Sequence, residues 1–440
     1  MRLSDIAITT RAPARPPQVS IPDDILGTGR LAPLMAQIAL DHGPIFRVVP
    51  DSGPLAGSDV VYFVGPEASR FVLLTHREHF SNDLGWTPVL GEALGKGLAN
   101  MDGPEHPRHR AMMSPAFTAE CVDRYLPVTR NVIEARTRSW AARGEIDLAE
   151  EARAIAFDVA AAALLGLQMG ADVDLMRDRF YALLRGFGDE HQALEGHLLE
   201  LIAASRRASR ERPARSVVDM LARARDEGGN ALSDEQILAH VNILLVAGHE
   251  TTTNLAAWVL YLLAIHPQFG RQVDDELAAA LGASADRDAV RGSPALTNVI
   301  REAGRLHPPV MFLPRGVVAD FEFEGYSVAA GTPAFLAVAA GHRLSTIFAD
   351  PDTFDPTRFA PPREEHKRHP FALLTFGGGP RMCLGFHFAQ MEVKALVAHV
   401  RRRYRLTPIP GQDVVEMEGV VQCLADGIRV RVRPAEEAFR

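Results

Sequence analysis

The stretch Phe376-Gly377-Gly378-Gly379-Pro380-Arg381-Met382-Cys383-Leu384-Gly385 decides how the rest of this chain is interpreted. Three glycines followed by a proline cannot continue a helix or a central strand, so they predict a loop that ends where a helix-forming run begins at Leu384. We therefore expect Cys383 at a helix N-terminus, where free N–H groups and the helix dipole stabilise the thiolate that binds metals. Gly385 leaves room for a flat cofactor, and Arg381 offers a positive fork for a carboxylate of that cofactor.

Two other interpretations of this loop are weaker. A phosphate-binding P-loop requires Gly-Lys-Ser/Thr at its end, whereas Arg-Met-Cys stands here. A buried free cysteine after a structural loop is the common outcome for an isolated cysteine. Cys383 is not isolated, because phenylalanine, glycine and arginine stand at fixed spacings around it.

These spacings match a ten-residue pattern, Phe-x-x-Gly-x-Arg-x-Cys-x-Gly, which is followed by Ala389 and Glu392 at further matching positions. The pattern resembles the haem-binding signature of the cytochrome P450 superfamily, the haem-thiolate monooxygenases. The resemblance implies that Cys383 is the axial thiolate ligand of the iron in haem b. It also implies that the haem site includes Phe376, Gly377, Arg381, Gly385 and Ala389.

Composition limits the other possibilities. The chain has 440 residues, of which 47% are hydrophobic, so it can build a large core. The net charge of −8 makes nucleic acid or an anionic membrane an unexpected partner. The three cysteines, at positions 121, 383 and 423, form no C-x-x-C pair, so a disulfide scaffold or a zinc or iron–sulfur site is not expected.

The N-terminus is polar and contains prolines, without an apolar run that would indicate a signal peptide or membrane anchor. We expect a cytoplasmic protein in which residues 1–440 form a single catalytic domain with residues 1–24 as an N-terminal arm. Long periodic runs separated by little strand predict a mainly α fold with a smaller β-rich lobe. The predicted helices are 31–42, 119–143, 147–165, 174–187, 192–212, 216–226, 233–266, 268–281, 296–306 and 384–403, and the predicted strands are 45–49, 60–64, 309–313, 321–328, 334–339 and 427–432.

The longest predicted helix begins at Ser233, which forms a capping box with Gln236. Its centre is Ala247-Gly248-His249-Glu250-Thr251-Thr252, where an interior glycine and successive threonines are unfavourable for a helix. A zinc-binding H-E-x-x-H motif is excluded because residue 253 is threonine. A kinked core helix is one interpretation of this centre. The centre also resembles the family's A/G-G-x-D/E-T motif, which implies that Glu250 and Thr251 deliver protons during dioxygen activation and that Ala247, Gly248 and Thr251 contact the haem.

The same resemblance implies roles for further polar residues. His106 and Arg110 lie four residues apart on one helical face, which alone is typical of a solvated face, and they resemble the family's E-H-x-x-x-R element that holds a haem propionate. Arg315 is implied to meet the second propionate. An E-x-x-R pair, which alone would be a weak surface ion pair, resembles the network that braces the cysteine loop. That network is Glu302, Arg305 and Arg358.

Residues 81–101 are expected to be an irregular loop that either packs as a satellite core or walls a pocket. The resemblance favours the pocket, and it also places apolar residues of the long helix, the strand after residue 309 and the C-terminal turn around a substrate. The resulting candidate pocket residues are Leu84, Trp86, Val89, Leu244, Ala247, Val310, Met311, Phe312 and Val421.

The function implied is transfer of one oxygen atom from O2 to a hydrophobic small molecule such as a lipid, terpenoid, steroid-like or polyketide compound. Electrons would come ultimately from NAD(P)H through a separate ferredoxin or flavodoxin and its reductase, because the chain offers no fused redox domain. Basic residues near the cysteine side either form a solvated face or dock that acidic donor; they are Arg363, Lys367, Arg368, Arg401, Arg402 and Arg403. The alternatives are a peroxide-driven haem-thiolate enzyme and a non-enzymatic haem carrier or gas sensor.

Overall fold

The structure, a computed structural model, describes residues 14–22, 25–91, 94–184, 188–208, 213–279, 292–424 and 427–435. Most of the predicted N-terminal arm and the predicted helix ends at 185–187, 209–212 and 280–281 lie outside these residues. The helices of the described chain are α1 (Leu31–His42), α2 (Pro66–Arg70), α3 (Asp83–Leu90), α4 (Glu105–Met113), α5 (Ala119–Asp123), α6 (Leu126–Thr137), α7 (Trp140–Arg143), α8 (Leu148–Ala160), α9 (Ala171–Leu184), α10 (Gly188–Arg207), α11 (Val217–Arg223), α12 (Asp234–Ile265), α13 (Pro267–Ala279), α14 (Pro294–Leu306), α15 (Val338–Gly341) and α16 (Phe386–Arg403).

Strands occupy a smaller share of the described chain than helices do. They are β1 (Ile45–Val48), β2 (Val60–Phe63), β3 (Phe80–Ser81), β4 (Glu145–Asp147), β5 (Phe312–Val317), β6 (Phe321–Phe323), β7 (Tyr326–Val328), β8 (Pro333–Ala337), β9 (Tyr404–Pro408), β10 (Glu416–Met417), β11 (Cys423–Leu424) and β12 (Arg429–Pro434). The predicted fold class, mainly α with a smaller β-rich lobe, is confirmed.

Local residues set both ends of the long helix α12, which begins after Ser233 and ends before Pro267. The Ser233 hydroxyl accepts a hydrogen bond from the backbone N–H of Gln236 at 3.2 Å, and the Gln236 side chain accepts one from the Ser233 N–H at 2.9 Å. The predicted capping box is therefore confirmed. Most of the helix is buried, and it packs against α8, α14 and α16. It thus runs through the main hydrophobic core of the protein.

The largest sheet has the strand order β1-β2-β8-β5-β3. The hairpin β1–β2 is antiparallel, β2 runs parallel to β8, and β8 and β3 each run antiparallel to β5. Residues near the N-terminus extend this lobe, since Gln18 bridges to Arg47 and Ala14 bridges to Tyr326. An aromatic cluster packs on the sheet and consists of Phe63, Phe71, Phe80, Phe321 and Phe323. This lobe carries Arg315 on β5.

A second sheet joins distant parts of the sequence. Its order is β4-β12-β9, so β12 lies in the centre and pairs antiparallel with both neighbours. Val430 and Val432 on β12 are buried, while Arg429, Arg431 and Arg433, which alternate with them, are exposed. This alternation confirms the half-exposed strand predicted for the C-terminal region.

Several predicted elements differ from the structure. The predicted strand 321–328 is the antiparallel pair β6–β7, and the strand predicted from residue 309 begins only at Phe312. The segment 81–101 contains α3, because the carboxylate of Asp102 accepts hydrogen bonds from the N–H groups of Asn82 and Asp83 at 2.9 and 3.2 Å and so caps that helix. The single helix predicted for 119–143 is instead α5, α6 and α7, and a proline stands in the first turn of α6, where it starts a helix well but cannot continue one.

Candidate functional site

The cysteine loop is held by its own backbone. The Cys383 N–H donates to the carbonyl of Phe376 at 2.8 Å, and Arg110 on α4 donates to the carbonyl of Met382 at 2.8 Å. Gly379 has a φ of +63°, and a Cβ there would lie 2.5 Å from the Leu73 carbonyl oxygen. Only glycine fits this position, because the backbone is left-handed and closely covered.

The sulfur environment corrects one prediction. Helix α16 begins at Phe386, so Cys383 lies just before the helix and outside its first turn. Burial raises the pKa of the Cys383 thiol above its ordinary value, while a hydrogen bond from the Gly385 N–H and the charge of Arg110 act in the opposite direction. The expectation of an easily ionised sulfur is therefore wrong for the protein alone. The side chain is nevertheless exposed in the protein without a cofactor.

A buried ion network lies beneath the loop, and we call it the Glu302 network. Arg305 donates two hydrogen bonds to the carboxylate of Glu302, at 2.7 and 2.9 Å. Arg358 donates to Glu302 at 2.9 Å and to Glu365 at 2.8 Å. All four side chains are almost completely buried. The structure thus brings together the three residues predicted from the sequence and adds Glu365, which no spacing in the sequence indicated.

Two contacts connect the Glu302 network to the cysteine loop. His342 lies with Nδ1 3.2 Å from the Arg305 carbonyl, and its Nε2 accepts from the Leu374 N–H at 2.7 Å. Burial, with the charge of Arg305, lowers the pKa of His342 to about 3, so the ring is neutral and Nδ1 donates. The Thr375 hydroxyl donates to the Gly304 carbonyl on α14 at 2.9 Å. The start of the loop is therefore fixed to the network.

Cationic side chains gather on the other side of the loop. The guanidinium of Arg315 is buried, and burial together with the charge of Arg381 lowers its pKa to about 10. Arg381 lies 3.4 Å from a carboxylate oxygen of Asp102. Burial, followed by the charges of Arg381 and Arg110, lowers the pKa of His106 to about 4, so this histidine is neutral at pH 7. The site carries more positive than negative charge and can bind an anionic group.

These cations line a cavity of about 520 Å³. Its wall includes His106 and the guanidiniums of Arg77, Arg315 and Arg381, together with the carboxylates of Asp102 and Glu78. Asp102 already accepts hydrogen bonds from the hydroxyl of Ser81 and from the start of α3. Because the Asp102 carboxylate also interacts with these donors, it does not fully neutralise the cations of the cavity. No pattern in the sequence indicated a role for Asp102, because its partners come from another segment.

The middle of α12 is open on one face. Ala247 is exposed and Thr251 is half-buried, although they lie within a mostly buried helix and one helical turn apart. The Thr251 hydroxyl donates to the Ala247 carbonyl at 2.5 Å. A Cβ built on Gly248 meets no atom of the described protein within 4 Å. The helix thus presents a recess where the sequence has its unfavourable residues.

The carboxylate of Glu250 contacts two side chains, Arg153 on α8 and the neighbouring His249. Its Oε1 lies 3.2 Å from Nδ1 of His249 and 3.6 Å from Nε of Arg153. Burial favours the neutral acid, but the contacts with His249 and Arg153 outweigh it and keep the pKa of Glu250 below its ordinary value. Tyr181 contacts the other ring nitrogen of His249. The sequence indicated neither Arg153 nor Tyr181.

The candidate pocket residues fall into two groups. Exposed or half-buried side chains, which remain compatible with a pocket wall, are Leu84, Trp86, Val89, Leu244, Ala247, Val310, Phe312 and Val421. Val310 and Val421 pair through an isolated β-bridge, which joins the strand after α14 to the C-terminal turn. Met311 is only 1% exposed and packs with Ala32 and Ala339, so its placement favours a core role.

The basic residues near the cysteine side are largely paired with acids. Arg401 makes two hydrogen bonds with Asp274, at 2.8 and 2.6 Å. Arg363 pairs with Asp355 and Glu365, and Lys367 with Glu364. This pairing reduces the positive field that the sequence suggested for docking. Among the described helices, none combines the length and apolarity needed to cross a membrane.

Comparisons with known proteins agree with this geometry. The family profile described as cytochrome P450 matches residues 25–187 and 173–424. Cytochrome P450 136 of Mycobacterium tuberculosis is 31% identical over 83% of this chain and 76% of its own length. The sterol 14alpha-demethylase of Mycolicibacterium vanbaalenii is 28% identical over 80% of this chain and 82% of its own length. The solved structure of retinoic acid bound cyanobacterial CYP120A1 is 25% identical, has a TM-score of 0.84, and aligns over 96% of this chain and 100% of its own.

Proposed function

Because this chain belongs to the cytochrome P450 family and is therefore a haem-thiolate monooxygenase, we propose that Cys383 is the thiolate ligand and that the substrate is a largely apolar small molecule. The observation that carries this proposal is the accessible sulfur of Cys383, which stands on a loop that is fixed to the Glu302 network through Leu374 and Thr375 and to Arg110 through the Met382 carbonyl.

The residues present fit a haem in three respects. A Cβ built on Gly385 would meet only the Cys383 sulfur, at 3.9 Å, so the space beside the sulfur is free for a flat ring. Arg315 is a buried cation short of negative charge, which a propionate would supply. Arg381 and the neutral His106 offer further N–H donors to the propionates, and Arg110 fixes the loop through the Met382 carbonyl.

When bound, the haem supplies the redox chemistry that activates dioxygen. The chain itself anchors the ring, excludes water and handles protons. In our proposal Glu250 takes a proton from solvent and gives it to water in the recess, where the Thr251 hydroxyl orients it. Gly248 and Ala247 leave the space that this water occupies.

For the substrate we propose a rigid apolar skeleton of the terpenoid or steroid type. Two relatives support this class through their names, which mention a sterol and retinoic acid. The candidate wall residues are apolar, and such walls bind extended hydrocarbon surfaces by the hydrophobic effect. A panel of sterols, retinoids and fatty acids, screened for ligand-induced shifts of the haem spectrum, tests the class; shifts with fatty acids alone would contradict it.

The electrons are proposed to come from a separate ferredoxin or flavodoxin and its reductase, and ultimately from NAD(P)H. The pairing of Arg401 with Asp274 leaves fewer free cations for docking than the sequence suggested. A reconstituted assay with a surrogate ferredoxin system should give substrate-dependent NADPH consumption. Product formation with hydrogen peroxide alone, and none with the donor system, would indicate the peroxide-driven alternative.

The ligand assignment is tested with Cys383→Ser. We expect the reduced, carbon monoxide-treated parent protein to show the long-wavelength absorption band typical of thiolate ligation, and the variant to lose it. Cys121→Ser is the control, because Cys121 is another free cysteine but is buried on α5, outside the cysteine loop. Identical spectra for the parent and Cys383→Ser would overturn the assignment.

A further inference from the structure

His249 lies on the face of α12 that points away from the recess. It is two residues from both Ala247 and Thr251, which places its side chain on the opposite side of the helix. The ring is completely buried and is enclosed by three aromatic rings from α8 and α9. Its centroid lies 5.9 Å from that of Phe157, 5.6 Å from Phe180 and 5.5 Å from Tyr181. Such packing fixes the ring plane, so its two nitrogens point in fixed directions.

One nitrogen is bonded to Tyr181. The distance from Nε2 of His249 to the Tyr181 hydroxyl oxygen is 2.9 Å. Burial raises the pKa of the Tyr181 phenol, so this hydroxyl keeps its proton and donates it to the ring nitrogen. In a neutral imidazole that accepts at Nε2, the remaining proton is on Nδ1. Tyr181 therefore selects the tautomer of His249.

The other nitrogen faces Glu250. Nδ1 lies 3.2 Å from Oε1 of that carboxylate, yet within the described part of the chain it has no well-aligned hydrogen-bond acceptor. A buried N–H without an aligned partner costs roughly 1–3 kcal/mol, so it attracts a carboxylate that can turn toward it. Arg153 is the second group near the carboxylate, and its Nε is 3.6 Å away. Glu250 is thus held by two contacts, and neither of them is a tight hydrogen bond.

We propose that His249, with its tautomer set by Tyr181, is a positioning residue that draws the Glu250 carboxylate back from the recess after each proton transfer. This inference rests on the proton-delivery role proposed for Glu250. In each cycle the carboxylic acid releases one proton to water in the recess, and the resulting carboxylate turns toward the Nδ1–H of His249 and toward Arg153. It regains one proton from solvent water before it turns back.

Loss of this tether slows proton supply without removing the acid. The electrons delivered to the enzyme then leave more often as hydrogen peroxide and less often as oxidised substrate. The quantity that reports the tether is the coupling, which is the amount of product formed per NADPH consumed. A residue that only filled space would change stability and leave the coupling and its solvent isotope effect unchanged.

Three variants separate the contributions in the haem-loaded protein. His249→Phe keeps a ring inside the aromatic enclosure but removes both nitrogens, and we expect the coupling to fall about fivefold or more, with a larger solvent deuterium isotope effect. His249→Asn places an amide N–H near the position of Nδ1 and should recover part of the coupling. Tyr181→Phe removes only the hydroxyl, and it should lower the coupling about twofold. Because Tyr181 acts through His249, the double variant should resemble His249→Phe alone.

Tyr404→Phe is the matched control, because it removes a buried phenol hydroxyl that donates to the Thr137 carbonyl at 2.9 Å, on another part of the molecule. Its coupling should equal that of the parent. If His249→Phe fails to fold, Tyr181→Phe still decides the matter, since its ring remains in place. Unchanged coupling and isotope effect in Tyr181→Phe and His249→Phe would overturn the proposal.

A second readout does not depend on turnover. In the diamagnetic carbon monoxide complex with 15N-labelled histidine, we expect an Nδ1-bound proton signal that disappears in His249→Asn and shifts in Tyr181→Phe. A His249 proton on Nε2 would overturn the proposal. Glu250→Gln separates the two levels of inference: if it leaves the coupling unchanged, the role proposed for Glu250 fails and the tether fails with it. If it lowers the coupling while the Tyr181 and His249 variants do not, only the tether fails.

Discussion

The Glu302 network and the centre of α12 are both polar regions inside the protein, but their hydrogen bonding differs. Every carboxylate and guanidinium of the Glu302 network has close partners, with distances from 2.7 to 2.9 Å among the charged groups. In α12, Nδ1 of His249 has no aligned acceptor among the described residues, and Glu250 is held loosely. The comparison teaches that complete hydrogen bonding fixes the loop, while incomplete hydrogen bonding leaves groups that can move.

Glu302→Ala should show the largest effect. It leaves the buried guanidiniums of Arg305 and Arg358 without their shared carboxylate, which costs about 3–5 kcal/mol of the free energy of unfolding. Urea unfolding measures this loss. The control is Glu134→Ala, because Glu134 pairs with Arg403 at 3.7 Å on the surface and should cost less than about 1 kcal/mol. Equal losses for the two variants would show that the network does not brace the protein.

Glu250→Gln should affect turnover far more than stability. Removal of a general acid typically lowers a rate by about 10²-fold or more, and we expect the lower end because water can replace part of the function. Steady-state product formation measures the change, and urea unfolding measures stability. A stability loss as large as that of Glu302→Ala would show that the two regions are equally structural and would remove the contrast.

Replacement of a glycine by alanine should lower the free energy of unfolding beside the Glu302 network and raise it at the centre of α12. An Ala side chain at Gly304 would place its Cβ 2.5 Å from Cγ2 of Thr375, so Gly304→Ala should lower the free energy of unfolding by about 1–3 kcal/mol. Gly248→Ala adds its methyl group to open space, and helix propensity should raise stability by up to about 1 kcal/mol. Thermal unfolding measures both changes. Destabilisation by both variants would mean that the α12 recess is as tightly packed as the network.

The smallest effect concerns two buried glutamates with opposite pH dependence. In Glu365, hydrogen bonds from Arg363 and Arg358 outweigh burial and lower the pKa, so its stabilisation is present above pH 4.5 and is lost as the pH falls through the folded-state pKa. In Glu392, burial raises the pKa well above 4.5, so the folded protein loses stability as the pH rises above 4.5. Each slope is at most about 1.4 kcal/mol per pH unit.

Unfolding of Glu365→Gln and Glu392→Gln, measured between pH 4 and 8, tests both signs. The first variant should lose less stability than the parent on acidification, and the second should lose less on alkalinisation. The same pH slope in the parent and in Glu392→Gln would show that this carboxyl is already ionised without penalty in the folded protein.

The sequence predicted those structural features that depend on residues close to one another along the chain. The capping box at Ser233, the end of α12 before Pro267 and the hairpin β1–β2 depend on neighbouring residues, and the structure contains all three. The Glu302–Arg305 pair was visible because three residues make one helical turn. A rare combination of glycine, arginine and cysteine was specific enough to indicate the family.

Contacts between distant segments were not predicted. Helix α3 is capped by Asp102, which follows the helix in the sequence and accepts hydrogen bonds from the N–H groups at the helix start. Glu365 and His342 join the Glu302 network from loops whose course no periodicity determines. The direction of the Cys383 pKa was wrong because burial, which the sequence does not report, exceeds the effect of nearby N–H groups. The role proposed for His249 likewise depends on Tyr181, which is 68 positions away.

The central position of β12 has a consequence for synthesis of the protein. Ile428, directly before this strand, hydrogen-bonds to Asp147 across 281 positions of sequence, and β4 and β9 are joined only through β12. A ribosome must therefore synthesise the chain as far as β12 before this sheet can close. Until then, the unpaired edges of β4 and β9 are open to contacts with other nascent chains, which is the kind of exposure that chaperones limit.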